Sequence, residues 1–171
     1  MNRSLEALCL PHLRAAYDLA RWLTRDAHEA EDVVQEAYLR AIKYQDGEVE
    51  NARAWLLRIV RNTFYTARSR QKLDRDAASF DEAMHSAGFD AFNPETAALR
   101  NADRELVREV LGELPVEFRE AIVLRELEGL SYKEIGEVTG VPQGTVMSRL
   151  SRARQALATE LGRRLKKELS P

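Results

Sequence analysis

The chain carries several short polar side chains and one cation that share a helical face within residues 143–152. They are Thr145, Ser148, Ser151 and Arg152. Hydroxyl groups can donate and accept hydrogen bonds at the edges of base pairs, and a guanidinium can bind a phosphate. A face of this kind is typical of a helix that enters the major groove of DNA. The alternative is a helix of an ordinary core, with Arg152 merely facing the solvent.

The residues around this face predict two helices joined by a sharp turn. Ser131 can cap the first helix, and Glu134 completes a capping box. Gly140 stands where that helix must end, because glycine readily adopts the left-handed conformation common there. Gly136 is small where the two helices must approach closely, and Pro142 suits the start of the second helix. A helix-turn-helix follows, whose second helix buries an apolar stripe of Val146, Leu150, Ala153 and Leu157.

Charge is segregated along the chain, although the formal net charge of its 171 residues is only −2. Residues 53–75 carry seven Lys or Arg against one acidic residue, and residues 141–171 carry seven against two. Residues 26–36 have five Asp or Glu and neither Lys nor Arg. The two basic tracts indicate two contacts with nucleic acid, and the acidic tract indicates a basic protein partner. For any single tract, a solvated helical face is the alternative.

The composition limits the class of protein. Hydrophobic residues make up 44% and charged residues 32% of a chain with few prolines and glycines, which is typical of a soluble helical protein. Cys9 is the only cysteine, so the chain has neither an internal disulfide nor a cysteine-rich zinc site. No uncharged apolar run reaches bilayer length, and no signal peptide follows Met1. We therefore expect a cytoplasmic protein that does not insert into a membrane.

Helical periodicity divides the chain into two parts. After about Asp74 the apolar pattern thins, and residues 74–94 mix acidic and small residues as a linker does. Turn-forming residues also interrupt the pattern at 45–51. We predict an all-α fold with helical domains at 1–73 and 99–171, joined by a flexible acidic linker over 74–98. Apolar stripes at helical spacing lie within residues 5–23, 33–42, 55–67, 99–111 and 118–127.

Three blocks in family order make the chain resemble a sigma factor of RNA polymerase, of the extracytoplasmic-function type. Residues 31–41 (EDVVQEAYLRA) resemble the helix that binds core polymerase. Residues 51–62 (NARAWLLRIVRN) resemble the segment that melts and reads the −10 promoter element. Residues 114–154 resemble the domain that reads the −35 element. The resemblance spans nearly the whole chain outside the linker and implies a region 2-like and a region 4-like domain.

The first block has a plain physical reading. Asp32, Gln35 and Glu36 fall at i, i+3 and i+4, hence on one helical face. By resemblance this face binds a basic coiled coil on the largest subunit of the polymerase. The resemblance also implies a contact between the chain and the polymerase flap. The resemblance also implies that an anti-sigma factor is a partner. It implies further that the chain is an initiation factor with neither catalytic activity nor a cofactor.

The second and third blocks carry the expected contacts with promoter DNA. Arginines neutralise phosphates, and exposed aromatic rings stack on unpaired bases. Trp55 and Phe64 fit the apolar stripe and are assigned to the core. The −10 set is Arg53, Arg58, Arg61, Asn62, Tyr65, Arg68 and Arg70. The −35 set is Gln143, Thr145, Met147, Ser148, Arg149, Ser151 and Arg152.

The residues favour promoter recognition over four other functions. A sigma-like decoy that only sequesters an anti-sigma factor has no need of the DNA-facing residues, which are intact. A dimeric repressor leaves the Asp32–Glu36 face unexplained. Glu82 and His85 have the spacing of a carboxylate metal site, but such a site requires a second pair on a facing helix. An enzyme is disfavoured because the sequence shows no nucleophile–base set, phosphate loop or metal cluster.

Overall fold

The computed structural model describes residues 4–45, 47–77 and 98–170, and throughout these ranges the regular structure is helical, which confirms the all-α fold class. A short 3₁₀ turn (Leu10–His12) follows the first helix, and a π-helical turn (Val123–Leu127) extends the sixth. The helices are α1 (Leu5–Cys9), α2 (Leu13–Thr24), α3 (Ala27–Lys43), α4 (Ala52–Ala77), α5 (Ala98–Glu113), α6 (Val116–Ile122), α7 (Tyr132–Thr139) and α8 (Gln143–Glu168).

In the N-terminal half, helices α2, α3 and α4 pack against one another. Asp26 begins α3 as expected, because its Oδ1 accepts a hydrogen bond from the Glu29 amide at 2.9 Å. Arg25 takes a left-handed conformation (φ 60°) at the end of α2, and this reverses the chain into α3. Leu19, Leu57 and Val60 are fully buried where the three helices meet. Each large apolar side chain buried in this way contributes about 1.5–3 kcal/mol.

The helix-turn-helix of the C-terminal half forms as its sequence predicts. The Ser131 hydroxyl accepts from the Glu134 amide at 3.1 Å, and Glu134 Oε2 accepts from the Ser131 amide at 2.7 Å. Gly140 ends α7 with a φ of 73°. A Cβ atom at Gly136 would lie 2.9 Å from the backbone oxygen of Val141, which explains the need for glycine. Local capping and one close backbone approach therefore set the angle between α7 and α8.

Three details differ from the expectations or lie beyond them. Helix α4 continues through Ala77, past the position where the apolar pattern thins. The pattern thins there because the last turns of the helix carry charged residues in solvent. Leu127 was expected in an apolar stripe, but its side chain is 56% exposed at the end of the π-helical turn, which changes the helical spacing. Glu82 and His85 lie outside the described residues.

The two halves of the chain contact each other. Helix α4 packs against α7, and α2 packs against α6, so that buried apolar residues of both halves form one cluster. Arg119 on α6 lies at this boundary, where its side chain is buried and forms no ion pair with a carboxylate of the described residues. Its Nη1 donates to the carbonyls of Gly112 (2.7 Å) and Leu114 (3.1 Å), and its Nη2 donates to the carbonyl of Leu23 in α2 (3.2 Å).

The electrostatic setting of Arg119 follows from its burial. Its Nε atom is buried and has no hydrogen-bond partner in the part of the chain that the structure describes. Burial, followed by the nearby charges of Arg25 and Arg68, lowers the pKa of Arg119 to about 10. The guanidinium therefore stays charged at neutral pH and lies at the end of α2, where the carbonyl dipoles favour a cation.

Candidate nucleic-acid and polymerase interfaces

The predicted polymerase-binding residues lie together on the surface of α3. Asp32, Gln35 and Glu36 are all exposed, while Val33 and Ala37 on the opposite face are buried in the core. Glu36 Oε1 accepts a hydrogen bond from Arg40 Nε at 2.9 Å, one helical turn away. We call Asp32, Gln35 and Glu36 the acidic face. Its position leaves two carboxylates and an amide available to a basic partner surface.

A groove between α3 and α4 begins beside the acidic face. The exposed Tyr44 stands at its edge, and Lys43 Nζ lies 5.4 Å from the centre of the Tyr44 ring. Sequence analysis missed Arg40, Lys43 and Tyr44, although two cations three residues apart beside an aromatic residue were a usable signal. The groove combines cations with an exposed ring, a combination that suits single-stranded nucleic acid. It is lined by Glu36, Leu39, Arg40, Lys43, Tyr44, Thr66 and Arg70.

The predicted −10 residues on α4 divide into two groups. Four of them are exposed, namely Arg58, Asn62, Arg68 and Arg70. The other three, Arg53, Arg61 and Tyr65, are partly buried against the C-terminal half. The helix thus does not present all seven side chains to the solvent at once. Trp55 is half-buried and Phe64 is buried, in agreement with their assignment to the core.

The covered group is held by carboxylates. Arg61 Nε lies 2.6 Å from Glu120 Oε1, and the Tyr65 hydroxyl donates to Glu120 Oε2 at 3.3 Å. The Arg61 guanidinium also stacks 4.5 Å above the Tyr65 ring. Arg53 Nη2 lies 2.7 Å from Glu128 Oε2 and also donates to the Glu128 carbonyl. We refer to Arg61–Glu120 and Arg53–Glu128 as the interdomain ion pairs.

Burial shapes the acid–base properties of this cluster. The side chain of Glu120 is only 1% exposed, and burial raises its pKa, although the charge of Arg61 and its hydrogen bond counteract part of that effect. Burial, together with the nearby Glu120 charge, raises the pKa of Tyr65. Tyr65 is therefore a neutral donor at physiological pH.

A third polar contact joins the halves at the start of α4 and of α7. Asn51 Nδ2 donates to Glu134 Oε1 at 2.9 Å, while Asn51 Oδ1 caps α4 by accepting from the Ala54 amide at 3.0 Å. The same Glu134 closes the capping box of α7. Asn51 thus ties the first turn of α4 to the first turn of the helix-turn-helix.

The predicted −35 residues lie in the first half of α8, outside its buried stripe of Val146, Leu150 and Ala153. Ser148 and Arg152 are exposed, and Thr145 is half-buried with its carbonyl accepting from the Ser148 hydroxyl at 3.0 Å. The remaining members are Gln143, Met147 and Ser151, which are exposed, and Arg149, which is half-buried. We call this set the recognition face. In contrast to α4, most of it is open to a duplex in the present arrangement.

The described ranges contain neither a cluster of metal ligands nor a membrane span. Within 4–45, 47–77 and 98–170, no three His, Cys, Asp or Glu side chains group closely enough to hold a metal ion. None of the helices in these ranges combines the length and the hydropathy needed to cross a bilayer.

Comparisons with known proteins agree with the two-part architecture. The family model for sigma-70 region 2 matches residues 8–73, and the model for sigma-70 region 4 matches residues 104–157. The chain is 37% identical over 166 residues to the RNA polymerase sigma-H factor of Pseudomonas aeruginosa, covering 91% of this chain and 85% of the relative. It is 38% identical over 134 residues to the ECF RNA polymerase sigma-E factor of Escherichia coli K12, covering 74% and 70%.

A solved structure supports the same relationship. The sigma factor RpoE of Bartonella quintana, in a co-crystal with the anti-sigma factor NepR, superposes with a TM-score of 0.72 and 31% sequence identity. The match covers 90% of this chain and 93% of that one. Two family models in order, relatives matched over most of their length and a shared fold lead to one assignment. The chain belongs to the sigma-70 family as an extracytoplasmic-function sigma factor, a class of transcription initiation factors that are not enzymes.

Proposed function

We propose that this sigma factor binds core RNA polymerase through the acidic face of α3 and reads promoter DNA through α4 and the recognition face of α8. The observation that carries the proposal is the presence of two exposed surfaces of opposite chemistry. Asp32 and Glu36 are open to solvent on α3, and Ser148 and Arg152 are open on α8. A surface for a basic protein and one for a nucleic acid are what a promoter-specificity subunit requires.

The polymerase contact is proposed to be a basic coiled coil of the largest subunit on the acidic face. Leu39 and Ile42, which are 60% and 53% exposed, flank this face and add apolar area for the partner to cover. Charge pairs across such a surface favour fast, oriented docking, and removal of one partner of a desolvated pair costs about 2–5 kcal/mol. The flap of the polymerase is proposed as a second contact, with the C-terminal half.

The test is transcription and co-purification with core polymerase. The double variant Gln35→Ala/Glu36→Ala should lose retention on core polymerase while its helix content is unchanged. Gln155→Ala/Glu168→Ala removes the same two chemical groups from exposed positions on α8 and serves as the matched control. Retention of the Gln35→Ala/Glu36→Ala variant at the level of the parent would exclude the acidic face as the polymerase contact.

DNA contacts are proposed to differ in kind between the two helices. On α8, Thr145 and Ser148 face base edges and Arg152 faces a phosphate, so changes at the first two should alter the preferred −35 sequence. On α4, the exposed Arg70 and the adjoining groove suit the melted −10 strand. Selection from a random promoter library should return different −35 sequences for Ser148→Ala. The same preferred sequence as the parent would contradict the placement of the recognition face.

An anti-sigma factor is proposed as the regulatory partner. The similar Bartonella quintana chain is bound to one. A partner that covers the acidic face cannot share it with polymerase, so isolation of the protein from its native cell should recover polymerase or an inhibitor, and not both together. A decoy that only sequesters an anti-sigma factor is the second candidate. It is favoured only if the purified chain binds the inhibitor and supports no transcription with core polymerase.

A further inference from the structure

Met147 is the large apolar member of the recognition face. Its side chain is 55% exposed, whereas Val146 and Leu150 on the same helix are each 1% exposed. A side chain that is this open to solvent adds little to the core, so the packing of α8 does not explain an apolar residue here. Single exposed apolar residues are common on protein surfaces, and the surroundings of Met147 therefore decide what its exposure means.

The neighbours of Met147 on the helix are small and leave its side chain prominent. Gly144 and Ser151 lie one helical turn to either side of it, and Ser148 follows it directly. All three are exposed. A Cβ atom at Gly144 would meet nothing within 4 Å beyond its own turn of helix, so the fold does not require glycine at this unfavourable helical position. Such a glycine suits a surface where another molecule approaches the backbone closely.

The charge on this part of α8 indicates what kind of molecule approaches. Residues 138–159 contain three arginines and neither Asp nor Glu. Arg152 is exposed and Arg149 is half-buried, and both lie within five residues of Met147. Positive charge without an acidic residue complements the phosphates of a DNA duplex. A duplex is therefore the occupant that fits the surface around Met147.

We propose that Met147 recognises a thymine of the −35 element through the C5-methyl group of that base. This rests on the proposed function, because it takes the recognition face to lie in the major groove. The thymine methyl is the apolar group that base-pair edges present in that groove, and apolar side chains pack against it. The other groups there are hydrogen-bond donors and acceptors, which would lose water against Met147 without gaining a comparable hydrogen bond.

Ser148 supplies a different kind of contact beside Met147. Its hydroxyl donates to the Thr145 carbonyl at 3.0 Å, so its hydrogen is already engaged. The Ser148 oxygen can still accept a hydrogen bond from the amino group of adenine or cytosine. The polar contact of Ser148 and the apolar contact of Met147 can therefore be separated by removing a methyl group from the DNA.

The experiment compares thymine with uracil, which lacks only the C5-methyl group. Random duplex DNA is selected on the full chain, and each thymine of the selected site is then replaced singly by uracil. Met147→Gln makes the side chain polar at similar length, and Met147→Leu keeps it apolar. Leu127→Gln is the matched control, because Leu127 is 56% exposed and lies outside the recognition face. Exposed positions and good helix formers should leave all three variants folded.

The expected result is a methyl effect at one thymine that depends on the side chain at position 147. Uracil at that thymine should weaken binding by the parent about fourfold, the factor that corresponds to burial of one methyl-sized group. The loss should be the same in Leu127→Gln, smaller but present in Met147→Leu, and absent in Met147→Gln. Selection on Met147→Gln should also lose the preference for thymine at that position.

The outcomes distinguish this proposal from the proposed function. A parent that selects a defined −35 sequence, but binds uracil and thymine equally at each position, would overturn the role of Met147 and leave the recognition face supported. A methyl effect that persists in Met147→Gln would assign the contact to another residue, such as Thr145, and would overturn the proposal equally. A parent that selects no sequence would contradict the proposed function of α8, and this proposal with it.

Discussion

Helices α4 and α8 carry similar chemistry, but they differ in what contacts them. Both present arginines beside polar residues, and both lie in a basic tract of the sequence. On α4, Arg53 and Arg61 are engaged by carboxylates from the other half, whereas on α8 Arg152 is exposed. The difference shows that a basic tract can be available for DNA or already neutralised by the protein itself. In the arrangement described, most of the recognition face is exposed to solvent, whereas part of the −10 set on α4 is covered.

The largest effect on stability should come from removing the cation of the most buried ion pair. Arg61→Met leaves Glu120 without its ion-pair partner. Loss of a buried partner costs about 3–5 kcal/mol, an upper limit here because the halves can part and hydrate the carboxylate and because the charge of Arg149 also acts on Glu120. Arg58→Met, an exposed arginine of the same helix, should change the free energy of unfolding by less than about 0.5 kcal/mol. Urea unfolding of the full chain measures both.

The pH dependence of that deficit has a definite sign. Burial raises the pKa of Glu120, so its protonated form is favoured in the folded chain. Stability gained from such a group is present below its unfolded pKa and is lost as the pH rises through its folded pKa. Arg61 lowers this pKa in the parent, so its removal raises the pKa of Glu120 further. The deficit of Arg61→Met should therefore be greatest at neutral pH, where Glu120 is charged in the parent, and should shrink in acid, where it is protonated in both. A deficit that does not depend on pH would mean that Glu120 is not the group left unpaired.

A second substitution acts on both helices through α7, which packs against α4 and α8. Gly136→Val places a side chain 2.9 Å from the Val141 carbonyl, and overpacking of this kind costs about 1–3 kcal/mol. Gly162→Ala meets no atom within 4 Å and should instead stabilise α8 by up to about 1 kcal/mol. Gly136→Val should lower both the melting temperature and the affinity for −35 DNA. Gly162→Ala should lower neither of them.

Arg152→Ala should separate DNA binding from stability. Because Arg152 is exposed on the recognition face, the free energy of unfolding should change by less than about 0.5 kcal/mol. Binding should weaken on every DNA sequence, and the slope of log affinity against log salt concentration should fall by about 1. A salt slope equal to that of the parent would place Arg152 away from the phosphates.

The smallest effect concerns an ion cluster that lies wholly within the C-terminal half and so serves as a reference for the interdomain ion pairs. Hydrogen bonds from Arg163 and Arg164 lower the pKa of Glu160 to about 2. Its contribution to stability is present above the ordinary pKa of a glutamate and is lost as the pH falls through about 2. The melting temperature of Glu160→Gln should lie slightly below that of the parent at neutral pH and converge with it in strong acid.

Local signals accounted for most of what the sequence predicted about the fold. Asp26, Ser131 and Gly140 act within a few residues of themselves, so their capping roles and the helix ends that they set were confirmed. The extension of α4 through Ala77 was missed because charged residues in a solvated last turn leave no apolar pattern. The division of the chain at residues 73 and 99 stays a prediction.

The contacts between the halves could not be predicted in the same way. Arg53 and Glu128 are 75 residues apart in the sequence, and Arg61 and Glu120 are 59 apart. A charge pattern gives the sign of a segment, but it does not select which of many acidic residues lies within 3 Å of a given arginine. The roles assigned to the acidic face, the −10 set and the recognition face remain predictions, because only binding partners can test them.

The buried guanidinium of Arg119 gives the boundary between the halves a particular response to temperature. One of its carbonyl partners, Leu23, belongs to the other half, so separation of the halves would admit water to a buried cation whose Nε has no hydrogen-bond partner among the described residues. Hydration of a charged group becomes more favourable on cooling, and the apolar contacts beside it weaken on cooling. These two contributions act together, so cooling weakens the contacts between the halves around Arg119.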